Sequence, residues 1–256
     1  MTPEGASLSL SLAVLASVVV LLLLSMAWFA VRGPGRDRDA VSKNAQFVGG
    51  LGNFVLHWFL WLVAPLATGS IRLGLTADFY NFAGLGLGIA AGAAVAAGWL
   101  EAGGWALALS GVCDILDGRI ARAQGVASRY GAFIDAVLDR FIELFFFLGV
   151  AYLTRHTAAG AVGVTLALGG SVLVSYARAV GESLGVECTG GLMQRGERLA
   201  LLTLASLADR RLSAALGQGP GSVLLACAYF IGLAGFVTAV HRTVWIARRL
   251  RAAPPA

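Results

Sequence analysis

Apolar runs long enough to cross a lipid bilayer recur along this 256-residue chain, and they restrict its possible folds more than any other feature. A transmembrane α-helix needs about 20 predominantly apolar residues, and residues 7–31 form such a run without one charged side chain. Charged residues make up 13% of the sequence, against about 25% in soluble proteins. The runs are continuously apolar and do not alternate, which disfavours a β-barrel. The predicted fold class is an all-α polytopic membrane protein.

Four segments follow from where these runs begin and end. Residues 1–46 are predicted to form an extra N-terminal transmembrane helix and a basic cytoplasmic segment, and the helix is expected to be retained because no basic residue precedes it. Residues 47–71 are predicted to form an interfacial or juxtamembrane helix, since tryptophan favours the water–lipid boundary, with a spanning helix as the alternative. Residues 72–250 are assigned to a six-helix membrane domain, and residues 251–256 to a tail. The six helices are expected at residues 76–100, 104–124, 130–153, 157–183, 193–213 and 221–249.

Basic residues predict the orientation, because cytoplasmic loops of membrane proteins are enriched in lysine and arginine. With the basic segment after the first run in the cytoplasm, the six-helix set begins and ends inside. The arginines predicted to lie inside are Arg119, Arg122, Arg129, Arg178, Arg195 and Arg198, and those predicted outside are Arg155, Arg210 and Arg211. We therefore expect an integral protein of a prokaryotic cytoplasmic (inner) membrane. The net charge is +5, and its basic residues are expected to contact membrane lipids and not nucleic acid.

Four aspartates are predicted to lie at the cytoplasmic ends of the second and third helices of the set, namely Asp114, Asp117, Asp135 and Asp139. Within each pair the spacing of three or four residues places both carboxylates on one helix face. A short polar link joins the two helices, so they are expected to be antiparallel neighbours whose aspartates face one cavity. Carboxylates at this density suit hard divalent cations such as Mg²⁺, Mn²⁺ or Ca²⁺. The alternative is a structural ion-pair network with Arg119, Arg122 and Arg140.

The residues of this stretch resemble a known signature. The pattern is Asp114-x2-Asp117-Gly118-x2-Ala121-Arg122-x8-Gly131-x3-Asp135-x3-Asp139. It is similar at every fixed position to the signature of the CDP-alcohol phosphatidyltransferase family. That resemblance implies a six-helix core, a possible homodimer, and transfer of a phosphatidyl group from CDP-diacylglycerol or a related CDP-lipid to an alcohol, with release of CMP. The chain departs from the family at Thr76-Ala77-Asp78, where members often have Thr-Pro-Asn.

The resemblance also implies roles for individual residues. Asp114, Asp117 and Asp135 would hold two divalent cations, Mg²⁺ or Mn²⁺, on the CDP diphosphate. Asp139 would be the catalytic general base on the acceptor hydroxyl and would also contact a metal. The CDP-lipid pocket would be lined by Asp114, Asp117, Gly118, Ala121, Arg122 and Gly131.

Three arginines outside the signature are candidates for binding the acceptor. Arg178 ends the fourth helix of the set, and Arg195 and Arg198 begin the fifth, so all three are predicted on the cytoplasmic side. The segment GLMQRGERLALL resembles the corresponding stretch of the phosphatidylinositol-phosphate synthase branch of the family. Inositol phosphate is therefore the first choice among small polyol and polyol-phosphate acceptors. Glycerol 3-phosphate is the second, followed by inositol, serine or ethanolamine. Ordinary positive-inside flanking would also explain these arginines.

Two other classes of function have to be compared with the enzyme. A carboxylate-lined ion transporter would place polar residues across the full thickness of the membrane, whereas the acidic residues here cluster at one end of the helices. An inactive binding or scaffold protein is disfavoured by the intact signature. Glu143 is not explained by the signature and is expected to pair with Arg140 or with a neighbouring helix.

Overall fold

The computed structural model describes residue 17 and residues 20–32, 50–188, 190–191 and 193–252. Within these residues the chain is entirely helical, without a β-strand. The eight described helices are α1 (Val20–Arg32), α2 (Gly50–Arg72), α3 (Ala77–Ala96), α4 (Leu100–Ala123), α5 (Arg129–Leu153), α6 (Ala158–Ser183), α7 (Arg195–Ala215) and α8 (Ser222–Ala252). The beginning of the predicted N-terminal helix, the basic segment after it and most of the predicted tail lie outside the described residues.

The all-helical prediction is confirmed, and each of the six predicted core helices is present with ends shifted by a few residues. By length and composition, α3, α6 and α8 are long and apolar enough to cross a membrane. The other core helices, α4, α5 and α7, carry the signature aspartates and the paired arginines, which lower their hydropathy. Six spans and the additional N-terminal span therefore stay predictions.

The chain divides into two compact units, residues 1–65 and residues 66–256. In the first unit, α1 packs on the beginning of α2. The Trp58 indole nitrogen donates a hydrogen bond to Ser25 Oγ at 3.0 Å, and the Phe29 ring lies 5.6 Å from the rings of Phe54 and Trp61. Trp58 is buried, and the interfacial placement of this segment stays a prediction.

In the second unit, α3 packs against both α4 and α5, while α4 and α5 pack only sparsely on each other. This corrects the expectation that the short link between α4 and α5 makes them direct neighbours. Gly92 allows α3 to come this close to α5, because a Cβ there would collide with the Phe145 carbonyl, and one at Gly149 would collide with Gly92. Glycines of α3 thus allow close helix packing, and α3 lies against both signature helices.

Helices α6, α7 and α8 complete this unit. Helix α6 packs mainly on α8, and α7 contacts both α4 and α8. The ends of the signature helices are held by local interactions. Ser128 Oγ accepts a hydrogen bond from Gly131 N at 3.1 Å and caps α5, and the positive φ of 68° at Gly125 reverses the chain after α4. The end of α4 and the beginning of α5, which carry the aspartates, are therefore adjacent although the two helices pack only sparsely on each other.

Candidate active site

The four signature aspartates converge on one cavity between α4 and α5. Asp114, Asp117, Asp135 and Asp139 all line it, and Asp114, Asp135 and Asp139 each offer a carboxylate oxygen within 4.8 Å of the others. Asp117 and Asp139 are buried. The convergence predicted from the helical spacing is confirmed, and the roles of the individual aspartates stay predictions.

This arrangement fits a hard divalent cation. Two oxygen ligands bound to one ion at about 2.0–2.6 Å can be no more than about 4–5 Å apart, and the three closest carboxylates meet that limit. Their donor atoms are all oxygens, which suit Mg²⁺ or Mn²⁺. Asp117 lines the same cavity and is the further carboxylate that a second ion would need.

Helix α3 contributes a wall of the cavity that the sequence did not indicate. Tyr80, Asn81 and Gly84 line it beside the aspartates. Ser110 Oγ donates to the Gly84 carbonyl at 2.8 Å and fixes α4 on α3. The Tyr80 hydroxyl lies 2.5 Å from Ser70 Oγ. Asn81 is buried and is followed by fifteen residues that are all apolar or glycine, so a polar side chain at this position was the available sequence signal.

Arg195 reaches the aspartates from the first turn of α7. Its Nη1 donates a hydrogen bond to Asp114 Oδ1 at 2.7 Å, and its Nη2 lies 2.5 Å from Asp139 Oδ1. One guanidinium thus joins α7 to both signature helices. The sequence predicted Arg195 near an acceptor anion, and the structure places it directly on two of the signature carboxylates.

Arg198 lies one turn further along α7 and has different partners. Its Nη2 lies 2.7 Å from Glu143 Oε1, with the two side chains 1% and 4% exposed, and its Nη1 donates to the Met193 carbonyl at 3.2 Å. Glu143 therefore pairs with a neighbouring helix, one of the two predicted options, and not with Arg140.

Each of the three arginines predicted to bind the acceptor has its own carboxylate partner, and their binding of one anion stays a prediction. Arg178 Nε lies 2.7 Å from Glu182 Oε1 at the end of α6, and both side chains are about half-exposed. Arg195 contacts the aspartates, and Arg198 is buried against Glu143. The reason is that α5 and α6 each supply a carboxylate within reach of one arginine, which the spacing of the arginines alone does not disclose.

Arg242 is a further buried arginine that the sequence prediction did not include. From α8 its Nε donates to the Gly190 carbonyl at 2.8 Å, and its Nη1 donates to the Val174 carbonyl at 3.0 Å. Its position inside a long apolar helix, before the terminal basic cluster, was a signal for a specific role.

The remaining signature residues lie on the last two turns of α4 and the first turn of α5. A Cβ at Gly118 would lie 3.1 Å from Arg122 Nη1, so the Arg122 side chain folds back over Gly118. A Cβ at Gly131 would meet only the Ser128 hydroxyl, at 3.5 Å. Ala121 is on the same last turns of α4. Small side chains here leave space beside the carboxylates for a larger ligand.

Comparison with known proteins gives consistent matches. A sequence profile of the CDP-alcohol phosphatidyltransferase family matches residues 75–234. The chain is 34% identical over 183 residues to an archaetidylinositol phosphate synthase from Methanothermobacter thermautotrophicus, covering 70% of this chain and 87% of the relative. It is 33% identical over 207 residues to a phosphatidylinositol phosphate synthase from Streptomyces avermitilis, covering 77% and 83%.

Solved structures are similar as well. The fold matches phosphatidylinositol phosphate synthase from Mycobacterium tuberculosis with CDP-DAG bound, with a TM-score of 0.62 and 27% identity over 72% of this chain and 92% of the other. The complex of that protein with manganese and citrate gives a TM-score of 0.62 and 28% identity over 72% and 88%. Sequence and fold therefore lead to the same group of proteins.

Proposed function

Because this chain belongs to the CDP-alcohol phosphatidyltransferase family, we propose that it transfers the phosphatidyl group of CDP-diacylglycerol, or of a related CDP-lipid, to inositol phosphate. The observation that carries this function is the convergence of Asp114, Asp135 and Asp139 within 4.8 Å. Relatives named for phosphatidylinositol phosphate and archaetidylinositol phosphate synthesis support the acceptor. A similar protein with CDP-DAG bound supports the donor.

The reaction would form a bond between the acceptor hydroxyl oxygen and the phosphatidyl phosphorus and break the bond from that phosphorus to CMP. Asp139 would take the hydroxyl proton as general base. Asp114, Asp117 and Asp135, with Asp139 in contact, would hold two divalent cations, Mg²⁺ or Mn²⁺; a manganese complex of a similar protein supports this. Bound cations would stabilise the negative charge that develops on the phosphate of the departing CMP. Gly118, Ala121, Arg122 and Gly131 would provide space for the CDP group.

The acceptor phosphate would bind on the side of the cavity nearest α7. Arg195 is the best supported of the three predicted arginines because it already reaches the site. Arg178 would contribute from α6 by exchanging Glu182 for the phosphate. Arg198 and Arg242, which are held by Glu143 and by backbone carbonyls, would fix the start of α7 beside the site. Glycerol 3-phosphate is the alternative acceptor, and uncharged alcohols would leave Arg195 without a phosphate to bind. The family chemistry gives no support to the transporter or to an inactive scaffold.

The same proposal includes the setting of the enzyme. The chain is an integral membrane protein, and we place it in a prokaryotic inner membrane with the aspartates on the cytoplasmic side, because the basic residues favour that orientation. The proposal also includes a homodimer and two ions per active site. It keeps the segment limits at residues 46, 71 and 250.

The test is a transfer assay with purified protein, CDP-diacylglycerol and Mg²⁺ or Mn²⁺. Inositol phosphate, glycerol 3-phosphate, inositol, serine and ethanolamine are offered separately, with CMP release and the lipid product followed by mass spectrometry. We expect CMP and a phosphatidylinositol phosphate with the first acceptor. Absence of CMP with every acceptor would contradict the enzyme assignment, and preference for glycerol 3-phosphate would change the acceptor.

Replacement of the proposed base is a sharper test. Asp139→Asn keeps the shape of the side chain but cannot accept the proton, so we expect a loss of about 10²–10⁴-fold in kcat. CDP-lipid binding and the unfolding temperature should change little. Turnover at the wild-type rate in the purified variant would remove Asp139 from the role of base.

A further inference from the structure

Arg195 uses carboxylates that a metal ion would also use. Its guanidinium contacts Asp114 Oδ1 at 2.7 Å and Asp139 Oδ1 at 2.5 Å. The same two aspartates belong to the group of three whose oxygens lie within 4.8 Å of one another. The arginine and a bound cation would therefore be within a few ångströms of each other, with like charges.

Building on the function proposed above, we propose that Arg195 and a divalent cation compete for Asp114 and Asp139, and that the displaced guanidinium pairs with a substrate phosphate. Arg195 is then a positioning residue that couples metal binding to substrate binding. The coupling follows from charge, because like charges repel more strongly where solvent screening is weak. The Arg195 side chain is 18% exposed, and those of Asp114 and Asp139 are 23% and 13% exposed.

The backbone around Arg195 is held on both sides, so the movement belongs to its side chain. Before it, Met193 N donates to Thr238 Oγ1 at 3.2 Å, and Arg242 binds the Gly190 carbonyl. After it, Arg198 is fixed to Glu143. These contacts attach the start of α7 to α5 and α8. The arginine can change partners by rotating its side chain while the helix stays in place.

A donor group of Arg195 is available for a phosphate. Its buried Nε makes no hydrogen bond with any described residue. Buried polar groups are normally satisfied, and arginine binds phosphate oxygens through paired N–H donors. A phosphate beside α7 would accept a hydrogen bond from Nε. It would also replace the two aspartates as the partner of Arg195 once the cation has bound them.

The competition is tested by Mn²⁺ binding, measured by electron paramagnetic resonance on the purified full chain. Arg195→Gln removes the competing charge, so its Kd for Mn²⁺ should be lower than that of the wild type by about tenfold. Arg195→Lys, which keeps the charge, should stay closer to the wild type and serves if the first variant does not fold. Unchanged or weaker Mn²⁺ binding in Arg195→Gln overturns the competition.

Arg211→Gln is the matched control. It removes the same charge from the other end of α7, where Arg211 lies 3.4 Å from Glu101, and should leave the Kd for Mn²⁺ unchanged. Asp114→Asn and Asp135→Asn, which alter two of the proposed metal ligands, separate this inference from the proposed function. If they lose Mn²⁺ while Arg195→Gln does not gain affinity, the competition alone fails. If they bind Mn²⁺ as the wild type does, the metal site and the proposed function fail.

The second half of the proposal is tested by coupling. Binding free energies are reciprocal, so a phosphate that captures Arg195 must tighten Mn²⁺ binding. We expect inositol phosphate to do so in the wild type, inositol to have no effect, and Arg195→Gln to lose the response. A response to CDP-diacylglycerol alone would identify the donor diphosphate as the partner. If neither substrate has an effect, the transfer of Arg195 to a phosphate is overturned.

Discussion

Arg195 and Arg198 lie one turn apart on α7, yet they meet carboxylates with different surroundings. Arg195 contacts two partly exposed aspartates at the cavity. Arg198 and Glu143 are almost completely buried, at 1% and 4% exposure. A buried ion pair adds little stability compared with an apolar pair of similar volume, but the removal of one partner leaves a charge that is costly to bury. The partly exposed Arg195 is therefore suited to binding a ligand, and the buried Arg198 is suited to attaching α7 to α5.

We expect Glu143→Gln to lower the free energy of unfolding by about 3–5 kcal/mol, because Arg198 would keep a buried charge without its counter-ion. Thermal unfolding of the purified protein in detergent measures the loss. The double variant Glu143→Leu with Arg198→Met should recover much of it. Glu182→Gln removes the partner of the half-exposed Arg178, and it should cost at most about 1 kcal/mol. Equal effects of Glu143→Gln and Glu182→Gln would contradict a special role for the buried pair.

The sequence was informative about the aspartates and poorly informative about their partners. Asp114, Asp117, Asp135 and Asp139 could be predicted to converge because each pair follows the helical period and a short link joins the pairs. The partner of Glu143 lies 55 residues away in the chain. No local period relates such a pair, and only the tertiary arrangement of the helices brings Arg198 of α7 to Glu143 of α5.

At the scale of elements, the start of α8 depends on a side chain of α7. Asp209 is fully buried and accepts hydrogen bonds from the backbone N–H groups of Gly221 and Leu224 at 2.6 and 2.8 Å. Ser213 donates to the same carboxylate at 3.3 Å. The first N–H groups of a helix have no partner inside the helix, so this carboxylate caps α8 from a neighbouring helix.

Asp209→Ala should lower the free energy of unfolding by about 1–3 kcal/mol, since it leaves buried donors unsatisfied. Asp209→Asn, which keeps an acceptor oxygen, should lose less. Thermal unfolding measures both, and Ser222→Ala is the control, because the Ser222 hydroxyl donates an exposed hydrogen bond to the Gly219 carbonyl. An unfolding temperature of Asp209→Ala equal to that of the wild type would show that α8 does not need this cap.

Element positions were predictable, whereas their packing was not. Long apolar runs bounded by polar links predicted the six core helices to within a few residues. The link length suggested that α4 and α5 pack together, but α3 lies against both. Its glycines allow the backbones of neighbouring helices to approach closely. This close packing accounts for the pairing of α3 with both α4 and α5. As a result, Tyr80 and Asn81 of α3 enter the cavity.

At the scale of the whole molecule, the orientation in the membrane can be tested by labelling. In a chain with Cys113, Cys188 and Cys227 replaced by alanine, Arg155→Cys should react with an impermeant maleimide on intact cells. Arg129→Cys, at the other end of α5, should react only after permeabilisation, because the aspartate-bearing end is proposed to be cytoplasmic. Arg210→Cys should behave as Arg155→Cys does. Labelling of Arg129→Cys on intact cells would reverse the orientation.

The order of the chain has a consequence for biosynthesis. Asp114, Asp139 and Glu143 are made before α7, which carries Arg195 and Arg198, their ion-pair partners. A ribosome-bound chain that ends before α7 therefore contains these three carboxylates without those two arginines. Insertion of α7 brings the missing positive charges, and α8 then anchors the loop in front of them. The catalytic centre is thus completed late in translation. A chain shortened before α7 lacks the two arginines that pair with its carboxylates.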